Sequence, residues 1–229
     1  MKKRLLFLVA LALWATLLVQ QVNAQVTVTN PANVGPTALA GTYASLALAI
    51  ADLNTKTSIT GPVTISLDAS NPQTTPAGGY SITAILAGAS AVNSVTFTGN
   101  GNTITAFTPQ TSGNLNDAVF KIIGADFVTI QNFIMQENPA NSTTATGTNN
   151  MTEWGVALLY ASLTNGAQNN IIQNNTISLN RTYLNTFGFY SNTRHSATAV
   201  TTSAEVTSAA GSNSYNKVYG NIISNINYG

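Results

Sequence analysis

Apolar and polar residues alternate with a period of two along most of the chain, which is typical of β-strands with one buried face. The segment Val63, Ile65 and Leu67, with polar residues between, is the first clear example. From Tyr80 onward the apolar runs stay short and are separated by Asn or Gly. The pattern predicts an all-β domain whose strands are joined by closely spaced turns.

One segment has the period of a helix instead. Its apolar residues fall on a single face at 3.6 residues per turn: Tyr43, Leu46, Ile50 and Leu53. Thr42 precedes this face as a candidate N-cap, so we expect a helix from Tyr43 to about Asn54. Its apolar face should be buried against the first strands.

An internal repeat indicates stacked units. Two stretches match position for position: Asn170-x-Ile172-x-x-Asn175-x-Ile177 and Asn216-x-Val218-x-x-Asn221-x-Ile223. A looser copy begins at Asp126 and a weaker one at Asn93, so the copies begin 33, 44 and 46 residues apart. Steps of this length need long loops, for which residues 137–152 and 182–213 are the candidates.

Stacking gives the repeat a physical meaning. Inward Val and Ile residues of successive coils form aliphatic columns, which predicts that Ile172 lies over Val218 and Ile177 over Ile223. A corner asparagine can adopt a left-handed backbone conformation and hydrogen-bond its equivalent in the next coil. The predicted ladder consists of Asn170, Asn175, Asn216 and Asn221. Low-complexity polar sequence with accidental Ile spacing is the alternative.

Over about residues 60–229 the pattern resembles the right-handed parallel β-helix, a solenoid, of the pectate-lyase-like superfamily. The resemblance implies an N-terminal capping α-helix over the first coil. Two shorter segments, 43–64 and 122–130, resemble the N-terminal part of long surface proteins that gliding-type Gram-negative bacteria export through a type 9 secretion pathway. The predicted organisation is a signal peptide (1–24), an extended lead-in (25–41), a capping-helix region (42–60) and β-helix coils (61–229).

The last residues, 221–229, stop within a coil motif without a capping element. Because solenoids need capped ends for solubility, we expect a C-terminally truncated β-helix that continues beyond Gly229. Pairing of this end with another chain is the alternative.

The N-terminus has the layout of a secretory signal peptide. The basic residues Lys2, Lys3 and Arg4 precede an apolar run over residues 5–19, and cleavage is expected after Ala24. The run is shorter than the roughly 20 residues that span a bilayer, so no membrane association is expected after cleavage. The protein is expected to be secreted or at the cell surface, and the lack of cysteine favours a bacterial source.

Charge excludes several functions. Charged residues make up 7% of the chain, and without Lys2, Lys3 and Arg4 the formal charge falls from +1 to −2. A phosphate-binding surface is therefore not available, and nucleic acid is excluded as a partner. The absence of cysteine excludes disulfides and thiolate chemistry, and no cofactor or metal ligand set is predicted.

No catalytic residue is predicted. The resemblance implies that enzymes of this fold use close carboxylates or a calcium cluster, whereas here no two carboxylates are closer than nine residues in sequence. His195 could act as a general base if Glu205, ten residues further along the same predicted loop, oriented it. Asp126 is interpreted as replacing a corner asparagine. The enzyme alternative is the N-terminal part of a polysaccharide lyase or glycoside hydrolase with catalytic coils beyond residue 229.

Aromatic residues suggest a different site. Four rings lie in or beside the predicted loops and are the candidate platform for a polysaccharide or cell-surface glycan: Trp154, Tyr160, Tyr183 and Tyr190. Burial of Phe187 and Phe189 as loop anchors is the simpler interpretation of this region. The sequence therefore predicts a non-catalytic, structural or adhesive segment of an exported protein, with a glycan-binding module as a further alternative.

Overall fold

The computed structural model describes residues 24–113, 115–196 and 206–228, and the side chains of 193–196 lie outside this description. Strands account for 36% of the described residues and helices for 7%. The prediction of a mainly β chain with parallel sheets is confirmed. The signal peptide predicted for residues 1–24 falls almost entirely on residues outside the described part.

The elements are short. One α-helix, α1, spans Leu46–Leu53, and single 3-10 turns span Pro31–Asn33 and Ala209–Gly211. The first half of the chain contains β1 (Val26–Thr29), β2 (Val34–Gly35), β3 (Thr42–Tyr43), β4 (Ser58–Ile59), β5 (Val63–Leu67), β6 (Gln73–Thr74), β7 (Tyr80–Ile82), β8 (Val95–Thr98) and β9 (Thr103–Thr105). The second half contains β10 (Ala118–Ile123), β11 (Val128–Gln131), β12 (Ile134–Gln136), β13 (Trp154–Tyr160), β14 (Ile171–Gln173), β15 (Thr176–Ser178), β16 (Phe187–Ser196), β17 (Lys217–Tyr219) and β18 (Ile222–Ser224).

The strands form three larger sheets. Sheet 1 has the spatial order β17-β14-β11-β8-β5-β1-β3, sheet 2 the order β18-β15-β12-β9-β6 and sheet 3 the order β16-β13-β10-β7. From β5 to β18, successive strands belong to sheet 1, sheet 2 and sheet 3 in turn, and this order repeats without exception. Within each sheet these strands pair in parallel. We call one passage through the three sheets a round. After β18, Tyr228 pairs in parallel with Phe187 and so returns the chain to sheet 3.

Side chains on the inner faces stack in columns between rounds. In sheet 1 the register places Ile65, Phe97, Ile130, Ile172 and Val218 beside one another. The first four are fully buried, and each therefore contributes the roughly 1.5–3 kcal/mol expected for burial of a large apolar side chain.

The predicted pairs Ile172–Val218 and Ile177–Ile223 are both found in register. Val218 is nevertheless 41% exposed, because no described strand lies beyond β17 in sheet 1. The stacking prediction is thus confirmed in register, whereas burial is complete only in the earlier rounds.

The N-terminal elements differ from the prediction in detail. Helix α1 begins after Ser45, whose side chain accepts the N–H of Leu48, so the N-cap is Ser45 rather than Thr42. Thr42 and Tyr43 form β3 because they pair with β1. The 25–41 lead-in contains β1, which pairs antiparallel with β5 and covers that edge of sheet 1.

The apolar face of α1 is buried as predicted. Leu46 and Leu53 are fully buried and Ile50 is 4% exposed. The helix packs against β3 and β7, at the end of the sheets where β1 also lies.

Connections between sheets differ in length. The step from sheet 1 to sheet 2 takes two residues in the third, fourth and fifth rounds, at 132–133, 174–175 and 220–221. The predicted loop at 137–152 lies between β12 and β13. The loop predicted over 182–213 is wrong in part, because β16 occupies Phe187–Ser196 and pairs with β13.

Candidate functional site

The predicted asparagine ladder forms a repeated contact between rounds. The side-chain oxygen Oδ1 of Asn175 accepts the backbone N–H of Phe133 at 3.1 Å, and its Nδ2 donates to the carbonyl of Ile130 at 3.0 Å. Asn221 repeats this contact one round later, with the N–H of Asn175 at 3.0 Å and the carbonyl of Ile172 at 2.8 Å. We call this two-bond contact an asparagine bridge.

A second corner, before the sheet 1 strands, carries the same bridge. Asn170 binds the N–H of Val128 at 2.8 Å and the carbonyl of Ala125 at 3.0 Å. Asn216 binds the N–H of Asn170 at 2.8 Å and the carbonyl of Ala167 at 2.9 Å. In every case one carboxamide satisfies a donor and an acceptor of the preceding round, three residues apart.

The left-handed conformation does not fall on the ladder asparagines, which corrects the prediction. It falls on the residue before each of them: Asn169 (φ 56), Asn174 (φ 55), Tyr215 (φ 59) and Gly220 (φ 66). The left-handed residue turns the chain at the corner. The asparagine that follows is then free to direct its side chain along the backbone of the neighbouring round.

Asp126 does not occupy the position of a corner asparagine. The register of β11 and β14 places Val128 beside Asn170, so the looser sequence copy is displaced by two residues from the structural one. Asp126 still has a structural contact, because its Oδ1 accepts the N–H of Gln168 at 2.7 Å. Burial raises the pKa of this carboxyl group above its ordinary value.

The four aromatic residues proposed as a glycan platform lie on or next to sheet 3. Trp154, Tyr160 and Tyr183 are at most 5% exposed, and Tyr190 is half-buried. The rings of Trp154 and Tyr190 stack at 4.9 Å within a small apolar cluster that also includes Phe187. Three buried rings cannot stack on a sugar, so this geometry does not support the platform and instead matches the anchoring interpretation.

A pair of buried carboxyl groups lies at the N-terminal ends of the two central strands of sheet 3. Asp117 precedes β10 and Glu153 precedes β13, and the pairing of Ala118 with Trp154 places the two acids side by side. Glu153 Oε2 accepts the backbone N–H groups of Asp117 at 2.7 Å and Asn116 at 3.2 Å.

Other polar groups complete this carboxyl pair. Glu153 Oε1 accepts from the Asn149 amide and from the Tyr183 hydroxyl, both at 3.3 Å. Lys121 Nζ donates to the carbonyl of Asn116 at 3.3 Å and lies close enough to both acids to interact with their charges. Asp117 Oδ2 is buried and has no hydrogen-bond partner among the described residues.

Burial dominates the protonation of this pair. It raises the pKa of Glu153 to about 8 and that of Asp117 to about 6, and it lowers the pKa of Lys121. Glu153 is therefore largely protonated at neutral pH. Two carboxyl groups with separated pKa values have the chemistry of a general acid and base.

Neither carboxyl group of this pair is accessible to a substrate. Asp117 is 1% exposed and Glu153 is fully buried, so no substrate atom can reach either carboxyl group. Sequence reasoning did not find the pair, because Asp117 and Glu153 are 36 residues apart and only the strand register brings them together. The pairing of His195 with Glu205 lies outside the described side chains.

An exposed groove crosses the outer face of sheet 1. Ser94, Thr129, Ile171 and Lys217, from four consecutive rounds, line it, and Tyr215 stands at one end with 78% of its surface exposed. The face continues with Gln173, whose amide donates to Gln131 at 2.6 Å. An exposed tyrosine ring, a lysine and a row of hydroxyl and amide groups are the groups that bind sugars in shallow sites.

Comparisons with protein-family models, curated proteins and solved structures find no match for this chain. In the described part of the chain, no helix is long and apolar enough to cross a membrane. The same part contains no group of three or more His, Cys, Asp or Glu side chains arranged to hold a metal ion.

Proposed function

We propose that the chain is a right-handed parallel β-helix segment with a structural or adhesive role in an exported bacterial protein. The observation that carries this proposal is the strict rotation of parallel strands through three sheets, with side chains in register between rounds. Such an arrangement displays long rows of equivalent outward side chains, which suits repeated weak contacts along a surface.

Export rests on the signal-peptide layout of residues 1–24 and on the sequence resemblance to surface proteins of the type 9 secretion pathway. The low charge and high content of Asn, Thr and Ser are consistent with an extracellular scaffold.

We propose that the chain is not catalytic because the Asp117–Glu153 pair is buried. A hydrolase or lyase needs carboxyl groups that face the substrate, whereas these two face the interior. The outer face of sheet 1 instead offers hydroxyl, amide and apolar groups, which bind without transferring protons at neutral pH.

A glycan-binding module is the second candidate, and the exposed Tyr215 beside Lys217 favours it. The site is the groove on the outer face of sheet 1, in place of the four-ring platform predicted from sequence. The role would be adhesion to polysaccharide, with Tyr215 stacking on a sugar ring and Thr129 and Asn169 accepting or donating to its hydroxyls.

One experiment separates these functions from the enzyme alternative. Residues 25–229 are incubated with pectin, alginate and related polysaccharides in the presence of calcium, and unsaturated and reducing ends are measured. We expect no turnover. Cleavage that disappears in Glu153→Gln would establish an enzyme and overturn the structural proposal.

The adhesive candidate is tested by retention on a glycan array. We expect Tyr215→Ala and Lys217→Ala to reduce retention at least tenfold, while Leu184→Ala, a substitution of a residue 74% exposed outside the groove, leaves it unchanged. Equal loss for all three variants would assign the retention to non-specific apolar contact. No retention at all would leave a scaffold role.

A further inference from the structure

The asparagine bridges all point in one direction. Each carboxamide satisfies the backbone of the round before it, so Asn216 satisfies the N–H of Asn170 and Asn221 satisfies that of Asn175. By the same rule, the N–H groups of Asn216 and Asn221 could be bound by the carboxamides of a strand pair added beyond β17 and β18. Neither N–H has an acceptor among the described residues.

Apolar side chains are exposed at the same edge. Val218 is 41% exposed and Ile223 is partly exposed, whereas Ile172 and Ile177, their neighbours in the preceding round, are buried. The edge formed by β17 and β18 thus combines unsatisfied backbone donors with an incompletely covered core column. This combination is what an added strand would bury.

The opposite end of the molecule is closed to such an addition. There β1 lies antiparallel on β5 and α1 buries its apolar face on the core. A second copy related by two-fold symmetry would bring its own β17 antiparallel to this β17. An asparagine bridge forms only between parallel rounds. The antiparallel β17 of a second copy therefore cannot form the bridges, and its other end is covered by β1 and α1.

We infer that the edge of β17 and β18 binds a parallel strand pair that carries two asparagines five residues apart, in the pattern Asn-x-Val/Ile-x-x-Asn-x-Ile. The two carboxamides bind the N–H groups of Asn216 and Asn221, and the apolar positions cover Val218 and Ile223. This inference rests on the proposed β-helix and adds the chemistry that selects its partner. The asparagine spacing fixes the register, because a shift by one residue would lose both bridges.

The test uses the mature chain and a labelled peptide of residues 166–179, which contains Asn170 and Asn175. Binding is followed by fluorescence anisotropy, and backbone hydrogen exchange by NMR locates the bound peptide. We expect saturable one-to-one binding and slower exchange at Asn216 and Asn221. A peptide with Asn170→Ala and Asn175→Ala should bind at least about tenfold more weakly, because four hydrogen bonds are lost.

A matched control peptide carries Gln173→Ala and Ser178→Ala, which removes two polar side chains that make no bridge, and it should bind like the parent. The inference is overturned if the asparagine-free peptide binds as well as the parent, or if protection appears at β1 instead. It is also overturned if the chain alone forms a dimer that protects Asn216 and Asn221.

Exchange in the free protein separates this inference from the proposed fold. The amides of Phe133 and Asn175 should exchange slowly without peptide if the rounds are stacked. Fast exchange there would reject the β-helix itself. Slow exchange there without peptide binding would reject only the edge-binding inference.

Discussion

The backbone N–H of Asp117 donates to the carboxyl group of Glu153 at 2.7 Å, which places two buried acids side by side on neighbouring strands. Such a pair is costly when charged, because burial removes the hydration of both groups and Lys121 supplies a single nearby positive charge. The protein therefore holds at least one of the two protons up to neutral pH.

The first prediction concerns pH. Folding raises the pKa of Glu153 from 4.5 to about 8 and that of Asp117 from 3.8 to about 6, so the native state binds more protons than the unfolded state in this range. The contribution of Glu153 to the free energy of unfolding is therefore complete below about pH 4.5, and it is lost as the pH rises through 8. We expect thermal and urea unfolding to show a loss on the order of 2–4 kcal/mol between pH 5 and 9.

Glu153→Gln isolates this effect, since it keeps a side-chain oxygen and removes the titration. The variant should lose most of the pH dependence between 6 and 9. Asp68→Asn, at a partly exposed carboxylate, serves as the control and should keep it. An unchanged slope in Glu153→Gln would show that other groups govern the pH response.

The second prediction concerns the asparagine bridge. Asn175→Ala leaves the N–H of Phe133 and the carbonyl of Ile130 without partners in a site that is 1% exposed. We expect a loss of about 2–4 kcal/mol in the free energy of unfolding, measured with urea. Asn221→Ala removes the equivalent bridge at the more exposed edge, where water can replace it, so its cost should be smaller. Equal costs would show that burial does not set the value of the bridge.

The third prediction concerns the left-handed corner residue. Asn174 has φ 55, a conformation that costs an alanine roughly 1 kcal/mol and a glycine almost nothing. Asn174→Ala should therefore lower the free energy of unfolding by about 1 kcal/mol, while Asn174→Gly should change it little. If both variants unfold at the same urea concentration, backbone strain is not the controlling factor at this corner.

The fourth prediction concerns a glycine on the inner face of sheet 3. A Cβ added at Gly155 would lie 2.5 Å from Ile177 Cγ2 and 2.5 Å from the carbonyl oxygen of Gly188. Gly155→Ala should thus destabilise the protein by about 1–3 kcal/mol or prevent its folding. At Gly41 nothing lies within 4 Å of an added Cβ, so Gly41→Ala is the matched control and should be close to neutral in thermal unfolding.

Sequence patterning predicted the fold best where the repeat was strongest. The two close copies gave the correct register for Ile172 with Val218, because both the apolar and the asparagine positions agree. The third copy misled, since Val128 and Phe133 occupy the places that asparagines take elsewhere. An apolar residue at a corner removes the signal that marks the corner.

Strand β16 and the Asp117–Glu153 pair both depend on contacts between residues that are far apart in the sequence. The polar residues of β16 form a strand because β13 offers an edge to pair with, and nothing in their own pattern indicates this. The Asp117–Glu153 pair depends on how many residues the intervening loop absorbs. Its position follows from the register of two strands and not from either acid's neighbours in sequence.

The two-residue step from sheet 1 to sheet 2 has a consequence for how such a chain can change over generations. This step keeps its length in the third, fourth and fifth rounds, while the connections into and out of sheet 3 range from a few residues to about twenty. Insertions and deletions near sheet 3 can accumulate without moving any column out of alignment. In these three rounds the fold thus separates a side of constant step length from a side on which new surface can be gained by mutation.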